Sequence, residues 1–196
     1  MAHAQKKWLS EGRTILFADE AAVYLLPALV RTWAPKGERP VLREWWGRDH
    51  LSAASAISEA GAIYFQSQRE AFDGDDVTAF LDYLLREIPG PIGLVWDGAR
   101  IHHGEKVREW LGSGGAARIE LAILPAYSPH LNPTEGVWSY LKEVLLANIT
   151  CMNITCMNLS QLEHLLSWAE VRLRSSSDII ASCFLQPDCL YIMTCQ

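Results

Sequence analysis

The sequence predicts an α/β domain in which helices flank a mixed sheet. Three observations carry that expectation. "PIGLVWD" is a continuous apolar run of strand length, the pattern of a strand covered on both faces, and "RIELAILP" reads as another strand. Around them lie stretches whose apolar residues recur at helical spacing. The chain of 196 residues is 49% hydrophobic and 20% charged, enough to bury a core within one domain and too apolar to be disordered.

The elements follow in order. "RTILFADEAAVYLLP" reads as a buried strand over Thr14–Ala18, closed by Asp19-Glu20, then a turn and more extended chain. "APKGERPVL" places a turn at Lys36-Gly37 between two extended pieces. "HLSAASAISEAGAIYFQSQ", rich in small and β-branched residues, reads as a hairpin broken at Glu59-Ala60-Gly61. In "DGDDVTAFLDYLLREIPG", Val77, Phe80, Leu81, Leu84 and Leu85 share a helical face; acids open the helix and Pro89-Gly90 stops it. "PIGLVWD" is a strand ending at Asp97, "HHGEKVREWLGSGG" a short helix, and "RIELAILP" a further strand. A helix runs from Pro133 to about Leu146 and another covers "LSQLEHLLSWAEVRL". Between them "NITCMNITCMN", Asn148–Asn158, is a short unit copied in tandem. Its period would turn a helix by about 500° per copy, off register, so it reads as a loop and not as a solenoid repeat.

Composition narrows the function classes. No apolar run approaches the ~20 residues of a membrane span, and "MAHAQKKWLSEGR" lacks the apolar core of a signal peptide. The 5 Cys all lie in the last quarter without a CxxC pair, which points to neither zinc nor a disulfide framework and fits a reducing cytoplasm. The net charge of −6 weighs weakly against a nucleic-acid partner. Its distribution is uneven: the first 48 residues carry an excess of Lys and Arg, and residues 49–97 an excess of Asp and Glu. The basic end could meet phosphate, or it could be ordinary solvated charge.

Three acids stand where chemistry is often done. Asp19 and Asp97 close apolar strands, and Glu135 opens a helix. If the two strands are neighbours, both Asp carboxylates reach one sheet edge, where open α/β folds place their sites. Each acid also has a plain explanation. Asp is common in the turns that follow strands. Asn132 as N-cap, Pro133 at the first helical position and Glu135 three residues after the cap would form a capping box. Paired carboxylates alone would also suit a glycosidase, although "LPAYSPHLNPTE" has no part to play there.

In order and context, "LFADEA", "WDGARIHH" and "LPAYSPHLNPTEGVWSYLK" resemble the three acidic motifs of DDE transposases. The likeness is to the bacterial insertion-sequence branch of the Tc/mariner superfamily, and it extends from about Arg13 to Leu173. The interval from Asp97 to Glu135 is close to that group's usual spacing, and "RTWAPKGERPVL" resembles the segment after its first acid. The resemblance implies an RNase H-like fold with Asp19, Asp97 and Glu135 as the catalytic, metal-binding triad. It implies two Mg²⁺ ions, for which Mn²⁺ can substitute, with Asp19 bridging them. The implied activity is cleavage and strand transfer of double-stranded DNA at insertion-sequence ends and target, by in-line displacement in a homodimer on DNA. Glu20, His102, Asn132 and Lys142 would support the metals or touch DNA; His102 stands where the family has a His, though a surface His is the alternative. Tyr127 and Ser128 are expected to order the loop, and Trp96, Trp110 and Trp138 to lie in the core.

Three positions depart from the family: Gly98 replaces an Asn, Ala126 a Pro and His130 an acid. Such proteins normally carry a helix-turn-helix half ahead of the catalytic domain. Here Met1 lies just before the first expected strand, so residues 1–196 read as a single catalytic domain. Its DNA-binding half would be a separate or fused partner. The other expectation is an inert truncated remnant, acting at most as a DNA-binding or dimerisation module.

Overall fold

The structure, a computed structural model, describes residues 2–25, 36–37, 49–114, 117–146 and 158–185. Its centre is a five-stranded sheet in the order β3-β2-β1-β4-β5. Helix α1 (Ala2–Ser10) leads into β1 (Thr14–Tyr24), followed by the hairpin of β2 (His50–Ile57) and β3 (Ile63–Gln68). Helix α2 (Gly74–Glu87), β4 (Ile92–Trp96), α3 (Glu105–Gly112) and β5 (Ile119–Ile123) come next. Helix α4 (Thr134–Tyr140) continues into a π turn over Leu141–Leu145; α5 (Leu159–Arg174) and α6 (Ser177–Ser182) complete the chain as described. β1 runs antiparallel to β2 and parallel to β4, so the sheet is mixed, as expected.

Each face of the sheet is covered. Alternation along β1 sends Phe17 and Val23 to one side and Leu16 and Ala18 to the other. The first side packs on Trp8 of α1, Val137 and Trp138 of α4, Leu162 and Leu166 of α5 and Ile180 of α6. The second side packs on α2 and α3 through Val77, Phe80, Leu81, Leu84 and Val107. Each such large side chain, once fully buried, contributes about 1.5–3 kcal/mol. Helix α2 begins at a true capping box, in which Asp73 accepts from the Asp76 N–H and Asp76 accepts from the Asp73 N–H.

Several elements differ from the expectation. β1 does not stop at Ala18. It runs unbroken through Asp19 and Glu20 to Tyr24, because β2 pairs with it from Phe17–Ile57 out to Tyr24–His50. Helix α1 stands before the first strand, where no element was expected. It holds its place through Trp8, which is buried against β4 at Gly93; a Cβ at Gly93 would lie 2.3 Å from the indole ring. Helix α6 was likewise not anticipated. Gly61 is left-handed (φ 84°) in the hairpin turn, and a Cβ there would lie 2.6 Å from the Ser177 carbonyl oxygen. Lys36-Gly37 is a turn as read, with Gly37 at φ 97°. Its extended flanks, the tandem unit up to Met157, and every Cys but the buried, free Cys183 lie outside the described residues. No described helix is long and apolar enough to cross a membrane.

Candidate active site

The parallel pairing of β1 with β4 ends at Phe17 and Val95. Asp19 lies two residues past the first and Asp97 two past the second, so the two acids leave the last shared rung level with each other. Strand alternation then separates Asp19 from its neighbour. Asp19 faces α4, where the Trp138 indole N–H donates to its Oδ2 at 3.0 Å. Glu20 faces the opposite side, where both its oxygens lie 2.9 and 3.0 Å from His102 Nε2. The other ring nitrogen of His102 is 2.8 Å from Asp97 Oδ1. The imidazole is buried and stacked on Trp96, with ring centroids 4.2 Å apart. Asp97 Oδ1 also accepts from the Ala99 N–H at 2.9 Å.

The third acid arrives on a helix pinned to β1. Asn132 Nδ2 donates to the Ala18 carbonyl at 3.1 Å, and Thr134 Oγ1 donates to the Phe17 carbonyl at 3.0 Å. These buried side chains set the start of α4 against the strand that carries Asp19. The expected capping box does not form. Asn132 Oδ1 does accept the Thr134 N–H at 3.2 Å, but a 3-10 turn over Pro129–Leu131 takes the Asn132 N–H to the Pro129 carbonyl, so the Glu135 half of the box is missing. Glu135, exposed on the first turn, is therefore not spent as a cap partner. Lys142 sits partly buried on the π turn, where the Leu146 N–H reaches back to Leu141, and it does not line the cavity described next. Single π turns inside helices are frequent at functional sites.

Asp19, Asp97 and Glu135 line one open cavity of about 460 Å³, together with Asn132 and the Leu124–Pro129 segment. Burial, then the charges of Glu135, Glu20 and Asp97, push Asp19 up to about 7 despite the Trp138 hydrogen bond. Burial pulls His102 down, but its hydrogen bond and ion pairing with Glu20 and Asp97 outweigh that, and its pKa is raised. With an oxygen facing each ring nitrogen, the imidazolium is the form the surroundings favour. The donor set is all carboxylate oxygen, the chemistry preferred by hard divalent cations, and the mutual repulsion felt at Asp19 is what a cation would relieve. As they stand, no three His, Cys, Asp or Glu side chains among the described residues enclose an ion.

The pattern of the DDE superfamily endonucleases matches residues 14–157, most of the chain. The chain belongs to that family. Among solved structures, this DDE endonuclease chain is similar to the Mos1 strand transfer complex (TM-score 0.68, 15% identity), covering 99% of this chain and 58% of that one. It is similar to the Mos1 mariner paired end complex with Mn (TM-score 0.69, 15% identity), covering 99% of this chain and 60% of that one. The catalytic domain of Mos1 mariner transposase aligns at TM-score 0.62 and 12% identity, over 99% of this chain and 87% of that one. The chain thus spans a little under two thirds of the longer Mos1 chains. No curated protein matches it. The fold of the DDE chain is therefore that of the transposase catalytic domains, an RNase H-like mixed sheet flanked by helices.

Two contributors escaped sequence reasoning. Trp138 was expected only as core; it is core, and its N–H also holds Asp19. Thr134, which helps pin α4, carries no signal beyond its place beside Asn132. Tyr127, expected to order the loop, has a wholly exposed side chain.

Proposed function

We propose that the chain is a transposase catalytic domain, performing divalent-metal-dependent cleavage and strand transfer of DNA by in-line phosphoryl displacement. The observation that carries this reading is the gathering of Asp19, Asp97 and Glu135 around one cavity, with Asp19 pushed up to about 7 by its burial and by its acidic neighbours. Asp19, Asp97 and Glu135 would hold the metal. Bound there, two Mg²⁺ or Mn²⁺ ions would stabilise the attacking and leaving oxygens of the displaced phosphate.

The remaining work falls to the chain itself. The Trp138 N–H aims the Asp19 carboxylate into the cavity, and loss of the Asp19 proton readies it as a ligand. The Ala99 N–H and His102 fix Asp97, while Glu20 holds the far nitrogen of His102. Asn132 and Thr134 set the height of Glu135 against Asp19. These are supporting groups of the kind whose loss weakens metal affinity or activity by roughly 10–100-fold.

The Mos1 relatives are described as strand transfer and paired end complexes, which supports double-stranded DNA as substrate and a dimer on paired ends as the working assembly. The longer Mos1 chains leave room for a further DNA-reading part, which here would be a helix-turn-helix half, fused or separate. Incubation with supercoiled DNA and Mn²⁺, with and without such a half, tests the reading. Nicking is expected, and Asp97→Asn should abolish it without lowering the melting temperature. Absence of both nicking and metal uptake in a folded wild-type chain would instead mark an inert remnant.

A further inference from the structure

The strand beside β1 buries a hydroxyl that the fold does not satisfy. Ser55 lies in the middle of β2, is 0% exposed, and its Oγ bonds to nothing among the described residues. Burial strips such a group of water and returns nothing, so alanine would suit the strand better. The chain does place alanine around it, at Ala53, Ala54 and Ala56. Ser55 differs from these in what it faces. Across the antiparallel pair its partner is Asp19, whereas Ala54 stands opposite Glu20. Paired residues share a face of the sheet, so the Ser55 side chain lies on the α4 side, level with Asp19.

On its other flank Ser55 pairs with Phe65 of β3. The Trp138 indole packs on Phe65, with ring centroids 6.1 Å apart, and donates to Asp19 at 3.0 Å. It thus spans from β3 to β1 across the strand that carries Ser55. Directly opposite residues of an antiparallel pair have Cβ atoms about 4.5–5.5 Å apart, so rotation about one side-chain bond brings the hydroxyl within reach of the Asp19 carboxylate. An ionised carboxylate offers about four lone-pair sites, and carboxylates that hold a metal are themselves hydrogen-bonded. We infer that Ser55 is a positioning residue for the cation site: its hydroxyl donates to the Asp19 carboxylate when that group holds a divalent cation, and with the Trp138 N–H it fixes the direction of the ligand. The inference rests on the metal-dependent reading above and adds to it a donor from β2, a strand that carries none of the three acids.

The test is calorimetric titration with Mn²⁺ at pH 8 of wild type, Ser55→Ala, Ser55→Cys and Ser55→Thr, beside their melting temperatures without metal. Ser55→Ala should melt no lower than wild type, since only an unpaired hydroxyl is lost, yet bind Mn²⁺ about tenfold more weakly, the lower end of what such supporting groups contribute. Its nicking should recover when Mn²⁺ is raised about tenfold. Ser55→Cys, close in size but a weak donor, should bind as the Ala variant does. Ser55→Thr keeps the hydroxyl and should keep wild-type affinity, even where its extra methyl lowers the melting temperature. Equal affinity in wild type and Ser55→Ala, or an equal loss in Ser55→Ala and Ser55→Thr, would overturn this inference and leave the cleavage reading standing. A wild type that takes up no Mn²⁺ would overturn both.

Discussion

The two ends of the central parallel strands are built on opposite plans. Where β1 and β4 begin, charge is neutralised in pairs. Lys7 Nζ lies 3.1 Å from both Glu120 oxygens, and Arg13 bonds Glu11 at 2.6 Å. Arg118 donates to the carbonyls of Leu85, Ile88 and Gly90, satisfying the loop that enters β4. Trp8 seals this half of the sheet by lying on Gly93. Where the same strands end, the charges of Glu135, Glu20 and Asp97 all bear on Asp19. His102 is bonded to both Glu20 and Asp97 of this cluster. One end is made for stability, and the other gives stability up to hold a reactive cluster, the usual trade at functional sites.

That contrast breaks most sharply at Asp19. Its folded pKa of about 7 lies above the ordinary 3.8, so between those values the folded chain keeps a proton that the unfolded chain has lost. Without metal, this group therefore lowers stability as pH rises from about 4 to about 7, and the deficit persists above. His102, raised as well, gives stability that is full below about 6.5 and lost as pH rises through its folded value. Both act in one direction. Asp19→Asn should abolish cleavage yet stabilise the metal-free chain at pH 8 by roughly 2–4 kcal/mol, and flatten the pH dependence of chemical denaturation.

A smaller effect is expected one layer out. Asn132→Ala removes the bond to the buried Ala18 carbonyl and leaves Thr134 alone to tie the start of α4 to β1. Stability should fall by about 1–3 kcal/mol. Cleavage per folded molecule should fall as well, because Glu135 loses its fixed height. Denaturant melts beside nicking rates would show this, and unchanged nicking would mean that α4 is positioned by packing alone. The smallest effect belongs to the opposite end. Glu120→Gln removes an exposed ion pair, should cost at most about 1 kcal/mol, and should leave nicking untouched. A large loss of activity there would mean that the two ends are not separate in purpose.

Much of this division could be read from the chain. β4 was legible because a strand buried on both faces is continuously apolar, and α2 because its helical stripe and acidic first turn agree. The three acids were legible through the words around them. The rest is set by partners distant in sequence. The length of β1 is decided by β2, α1 is held by Trp8 on a glycine some eighty residues on, and the missing cap at Glu135 follows from a 3-10 turn that captures the Asn132 N–H. The hydrogen bond from Trp138 to Asp19 and the exposure of Tyr127 depend on where an indole and a loop come to rest, which residue types alone do not fix.

The account turns on whether the three carboxylates act as one cation site. Calorimetric titration of the chain with Mn²⁺ at pH 8 and at pH 5.5 measures this directly. Binding at pH 8, weaker binding at pH 5.5 where Asp19 holds its proton, and loss of binding in Asp19→Asn are the predicted results. No heat of binding at pH 8, or binding undiminished in Asp19→Asn, would contradict it.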